Sequence, residues 1–257
     1  MKTALFFALV WVAQAQSSSS QWLNFPVPDV PRTPDGKVNL TAPVPKTPNG
    51  KPDLSGVWSA PADYFKNLAA DLKDDDVPML PAAKALLKEH EIKDHADDPM
   101  ALCLPPGVPR IDTSNSGEAL HPFKIVQTPR LILLLYETSV NSTFRQVFLD
   151  GRKLPKDPQP TWLGYSVGRW EGNTLVVETT GFNGRAWLDT FKGHPQSDVA
   201  RVTERFTRRD FGHMDLAITI DDPKSYSKPW QVTIHTILLP DTDLIETVCE
   251  NPKAIAR

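Results

Sequence analysis

From Phe123 onward the chain alternates apolar and polar positions in short runs, and the sharpest is WLGYSVGRWEGNTLVVETTGFN, Trp162 to Asn183. Two alternating segments flank Glu171-Gly172-Asn173, which spells a β-hairpin. The same period of two predicts strands at Phe123–Gln127, Leu131–Glu137, Thr143–Leu149, Gly164–Trp170, Thr174–Thr180, Arg201–Arg209, Met214–Asp221, Trp230–Leu238 and Leu244–Cys249, with a short one earlier at Leu54–Trp58. Most are joined by short Gly, Asn or Asp turns, so the expected order is antiparallel and up-and-down. Closing such a sheet removes its exposed edges. The fold expected is therefore mainly β, an antiparallel up-and-down β-barrel or strongly coiled half-barrel of about 8–10 strands. Pro61–Leu72 and Pro81–Lys93 predict two short helices before most of the strands, a helical insert over about 61–95.

Alternation also sorts the faces. Met214, Leu216, Ile218 and Ile220 face the core, as do Trp230, Val232, Ile234, Thr236 and Leu238, which leaves His235 outside. On Arg201–Arg209 the inward set is Val202, Glu204 and Phe206. Glu204 is thus a carboxylate on an apolar face, costly unless paired or protonated. Arg145 is the best partner, since it shares a face with Thr143 and Val147, although Phe144 and Phe148 compete for the inside. Tyr165 and Val167 are expected to point in from the next strand. Two readings follow: a structural ion pair, or an acid/base site in which Glu204 moves the proton, Arg145 orients charge and Tyr165 donates a hydrogen bond.

Residues 1–15 begin with Lys2, continue through the apolar run Ala4 to Val12 and end in Ala13-Gln14-Ala15. That pattern predicts a secretory signal peptide, hence export to the periplasm or the medium. The apolar run falls short of the about 20 residues that cross a bilayer, and no transmembrane segment is expected. Residues 16–52 are rich in Ser and then Pro and predict an extended leader, with 53–257 forming a single barrel domain. Within the leader PRTPDGKVNLT and PKTPNGKPDLS repeat at an offset that predicts two successive turns clipped to the domain surface. A formal net charge of -3 argues against nucleic acid as a partner. The basic residues Arg201, Arg205, Arg208 and Arg209 read as the solvated face of a strand. Cys103 and Cys249, in an exported chain, predict a disulfide, against the alternative of two free thiols.

Signatures for serine hydrolysis on an α/β scaffold and for phosphate cradling are missing, and neither a cofactor nor a metal is expected. A metal site from His194, Asp189 and Asp198 is outweighed by an exposed polar loop. The connection Gly181 to Asp198 is the longest between strands and reads either as a lid that binds a ligand or as a plug for one barrel end. With a ligand in the lumen, the candidate contacts are Glu178, Asn183, Trp187, Phe206 and Trp230. Oligomeric state is not legible in this pattern.

The segments CLPPGVPR, DGRKLPKDPQPTWLGYSVGRWEGNTLVVETTGFN, TERFTRRDFGHMD and DDPKSYSKPW resemble a large uncharacterised family of exported bacterial proteins. That resemblance implies export and no particular activity. Gly56-Val57-Trp58 is similar to the Gly-x-Trp of lipocalins, which implies an apolar barrel cavity for a small hydrophobic ligand. The leading expectation is an exported lipocalin-like β-barrel whose partner is a small apolar or amphipathic molecule. The alternatives are a secreted hydratase, isomerase or lyase using a lumen carboxylate, and a structural or adhesion module of the cell envelope.

Overall fold

A computed structural model describes residues 26–115, 121–138 and 140–249. The expected signal peptide, the first part of the leader and the last residues of the domain lie outside the described residues. Nine strands close into one barrel in sequence order: β1 (Gly56–Ser59), β2 (Phe123–Gln127), β3 (Leu131–Tyr136), β4 (Thr143–Phe148), β5 (Tyr165–Glu171), β6 (Thr174–Thr180), β7 (Arg201–Arg208), β8 (His213–Asp221) and β9 (Trp230–Leu238). β9 returns to β1 through Trp58 opposite Leu238 and Ser59 opposite Ile237. The two helices are shorter than the proline-led patterns suggested: α1 (Ala62–Lys66) and α2 (Pro81–Ile92).

The order is not purely up-and-down. Directions alternate around an antiparallel ring, so an odd strand number forces one parallel pair. Here it is β4 with β5, where Val147 faces Ser166 and Phe148 faces Val167. A parallel pair needs a crossover of about a dozen residues or more, and the proline-rich run 149–164 supplies it. The expected strand Leu244–Cys249 is also absent. That stretch makes one isolated bridge, Asn141 with Val248, and is held further by bonds between Ser142 and Thr247 and by the disulfide at Cys249.

Alternation along the strands fills the interior. Trp58, Phe123, Ile125, Ile132, Leu134, Val147, Leu175, Val177, Val202, Phe206 and the inward residues of β8 and β9 form one continuous core. The lower mouth, where β5 turns into β6 and β7 into β8, is crossed by the leader. Its repeat makes two matching turns, with Gly36 N–H donating to Thr33 O (2.9 Å) and Gly50 N–H to Thr47 O (2.8 Å). Leu40 O and Ala42 O then accept from Gly212 and Phe211 of the β7–β8 turn. Gly212 has no room for a Cβ, which would meet Leu40 at 2.5 Å.

The upper mouth is closed by three segments: α1, residues 104–115 with a 3-10 turn at Arg110–Thr113, and the connection 181–200. Arg110 is fully buried, bonds both oxygens of Asp98 at 2.9 and 2.5 Å, and donates to Thr190 Oγ1. Gln196 donates to Val108 O at 2.7 Å, and Thr190 N–H to Phe65 O at 2.9 Å. Gly107, at φ +83°, lets the plug approach: a Cβ there would lie 2.4 Å from that of Ala186. Cys103 and Cys249 form a disulfide with Cα atoms 5.6 Å apart, tying the start of this plug to the C-terminal stretch.

Candidate functional site

The alternation that places Glu204 inside on β7 also places Arg145 inside on β4, with Phe144 turned outward. The guanidinium donates through Nη1 to Glu204 Oε1 at 3.0 Å and through Nη2 to Oε2, a bidentate pair. Its Nε donates to Ser166 Oγ at 2.9 Å, and Nη2 also donates to Thr179 Oγ1 at 2.7 Å. From above, Asp112 on the plug comes to 3.5 Å from Nη1 through Oδ2, and its Oδ1 accepts from the Tyr136 hydroxyl at 2.7 Å. Glu204 and Asp112 are 0 % exposed and Arg145 is 3 % exposed.

One guanidinium therefore faces two buried carboxyls. Burial, and then the charge of Glu204, push Asp112 well above the usual carboxylate range, more than Arg145 can offset. Arg145 itself is raised: burial works against its charge, and the Glu204 carboxylate overrides it. Burial also drives the Tyr136 hydroxyl up, so it stays a donor. Asp112 is thus pushed toward its neutral form, and its buried Oδ2 has no hydrogen-bond partner among the described residues.

A raised folded-state value means that this contribution to stability is full below the ordinary carboxylate range and is lost as pH rises through the raised value. Within that window the wild type should lose about 1.4 kcal/mol per pH unit from Asp112. Asp112→Asn copies the shape and bonding of the neutral acid and should lack this slope. Urea midpoints measured across the pH range will test it, and identical slopes for the two proteins would contradict the assignment.

The structure brings together Glu204 and Arg145 and leaves Tyr165 apart. Tyr165 lies on the outer face of β5, stacks on Phe148 with ring centroids 5.4 Å apart, and accepts from Arg152 at 3.1 Å. The inward positions of β5 are Ser166 and Gly168, because a Cβ on Gly168 would lie 2.7 Å from Leu149 and 2.9 Å from Val147. The three proposed catalytic side chains do not converge, and Glu204 is enclosed against an arginine.

The lumen contacts fare similarly. Phe206 and Trp230 are buried core, with Trp230 edge-on to Tyr226 at 5.5 Å. Glu178 points outward and pairs with Arg169 and Arg201. The Asn183 side chain accepts from Arg185 N–H at 3.0 Å and holds a turn. Trp187 is buried and stacks on His90 at 3.9 Å. The connection that carries it is a plug, and it is not the exposed polar loop expected around His194. Asp189, fully buried, accepts from Leu68 N–H (2.9 Å), Gly193 N–H (2.7 Å) and His194 Nδ1 (2.5 Å). Asp198 is elsewhere, paired with Lys224. Among the described residues no group of three His, Cys, Asp or Glu side chains could hold a metal ion.

Two surface concavities stand out, and neither is lined by Arg145, Asp112 or Glu204. The larger, about 620 Å³, lies at the lower mouth between leader residues Val27–Val30, the edges of β1 and β2, and the chain after β9. Its walls are mostly apolar, with Val57, Ile125, Val126, Phe211, Leu239 and Pro240 prominent. The leader is held over it by Arg32, which pairs with both oxygens of Asp241 at 2.7 and 2.8 Å. Arg208 enters the same groove. Expected on a solvated face, it is buried instead, because the last inward position of β7 meets the turn beneath the barrel. The alternation that placed Glu204 and Phe206 inside extends to it.

No protein-family model matches the chain, and no curated protein matches it. The fold and geometry define the class directly: a closed nine-stranded β-barrel with a plugged upper mouth and an apolar groove at the lower one. Among the described residues no helix is long and apolar enough to cross a membrane.

Proposed function

We propose that this chain is an exported, lipocalin-like β-barrel that binds a small, largely apolar molecule, and that the ligand sits in the groove at the lower mouth, outside the lumen. The groove itself carries the reading. Its volume of about 620 Å³ lies within the range of small-molecule sites, and its walls are mainly hydrophobic with a few convergent polar groups. Export is supported by the apolar N-terminal run and by a disulfide, which persists in oxidising compartments. The resemblance to exported bacterial proteins agrees with it.

Val126 offers a clean test, because it lines the groove from an exposed position on β2. Val126→Trp should fill the groove and change stability by no more than about 0.5 kcal/mol, as expected of a surface site. Titration with N-phenyl-1-naphthylamine, a neutral dye that brightens in apolar surroundings, should give saturable binding to the wild type. The variant should bind about tenfold more weakly or worse, a loss of about 1.4 kcal/mol. Equal binding by the two proteins, or none by the wild type, would overturn the reading.

A further inference from the structure

Arg208 is an odd residue to bury. The residue is 6 % exposed, yet among the described residues it makes no ion pair with a carboxylate. Nε donates to Asp210 O (3.1 Å) and Phe211 O (3.2 Å), Nη1 to Asp53 O and Nη2 to Phe211 O. The guanidinium carbon lies 4.9 Å from the Trp58 ring centroid and 5.2 Å from that of Phe211. Three of its five N–H bonds are accounted for, which leaves one on each terminal nitrogen. Burial pushes it down to about 10, a loss that Asp53 and Asp210 only partly offset. Those two acids have other partners. Asp53 Oδ1 accepts from Ser55 N–H, and Asp210 Oδ1 from Gly212 N–H, His213 N–H and His213 Nδ1.

The other charges on the groove walls are Asp29, which is exposed, Asp53, whose carboxylate accepts from Ser55 N–H and makes no ion pair with Arg208, and Lys124 with Asp243, which neutralise each other at 2.8 Å. An under-compensated cation at one point of an apolar groove suits a ligand with one anionic end and one hydrocarbon end. A buried cation without its counter-charge is costly, and a bound anion removes that cost. An extended peptide is a poorer fit, because the closed ring offers it no free strand edge among the described residues.

We infer that the groove takes a long-chain monocarboxylate, its carboxylate on the two remaining Arg208 N–H bonds and its alkyl chain along Val57, Val126, Leu239 and Pro240. This rests on the groove being the ligand seat. Dodecanoate, dodecanol and dodecyltrimethylammonium, each displacing the neutral dye, separate the two claims. Dodecanoate should compete at about tenfold lower concentration than dodecanol, the scale of a charge-assisted hydrogen bond, and the cationic amphiphile should compete worst. Arg208→Gln should bring dodecanoate to the level of dodecanol and leave dodecanol unchanged. Should that variant fail to fold, Arg208→Lys, which keeps the cation and loses the fork, should shrink the preference. Equal competition by dodecanoate and dodecanol in the wild type would overturn carboxylate recognition and leave the apolar groove standing. A preference that survives folded Arg208→Gln would also overturn it. If no probe binds at all, the groove reading falls and this one with it.

Discussion

Replacing Arg145 with methionine is expected to remove about 3–5 kcal/mol of folding stability, the cost of leaving a buried charge without its partner. Glu204 would keep no counter-charge in a fully buried position, and Ser166 and Thr179 would lose the donors that now reach their hydroxyls. Asp112 cannot take over, since it supplies no cation. The loss should be largely restored by Arg145→Met/Glu204→Leu, because an apolar pair of similar volume avoids desolvating either charge. In the double variant Asp112 keeps its bond from Tyr136. Denaturant midpoints of the single and double variants give the coupling directly. A single variant within about 1 kcal/mol of the wild type, against the usual cost of breaking such a pair, would show that the network does not hold the barrel together.

Removing the disulfide is expected to cost about 2–4 kcal/mol, through the freedom regained by an unfolded chain no longer closed into a long loop. Cys103 and Cys249 are 146 residues apart in sequence, so the loop is long. Cys103 follows the short turn Pro99–Leu102 and begins the plug, and the stretch before Cys249 is held by bonds such as Thr247 N–H to Ser142 Oγ at 2.8 Å. The effect should be local as well as global. Cys103→Ser/Cys249→Ser should exchange amide hydrogens faster across 104–115, the segment that delivers Asp112, than across β7 and β8. Thiol alkylation of the wild type under denaturing, non-reducing conditions should label neither cysteine. Labelling of both would contradict the bridge.

The legible strand and core positions share one property: each lies on a strand with a clean period of two. β2, β6 and β9 were readable to the residue, and so was the burial of Glu204, because a carboxylate in an otherwise apolar inward set has to be paired. Arg145 followed as its partner, and the disulfide followed from two cysteines in a chain with an apolar N-terminal run. Tyr165 misled because larger apolar side chains usually face in. Further along the strand the inward position is Gly168, where Val147 and Leu149 leave no room for a Cβ, and that parity turns Tyr165 outward. Asp112 was invisible for a different reason: the plug has no periodicity, and its burial depends on the barrel mouth that receives it. The parallel pairing of β4 with β5 depends on the total strand count, which no local pattern carries. Leu244–Cys249 has a strand composition, but no neighbouring edge remains open to pair with it once β9 has met β1.

Hydrogen–deuterium exchange with and without bound N-phenyl-1-naphthylamine tests the central claim most directly, because it locates the ligand without altering the protein. Protection is predicted on the walls of the lower groove, at residues 27–30, 55–57, 124–127, 208–211 and 238–243, with no change in the strands around Arg145 and Glu204. Protection centred instead on the upper plug at 104–115 and 181–200, with the lower groove unaffected, would place the ligand in an opened lumen and contradict the account.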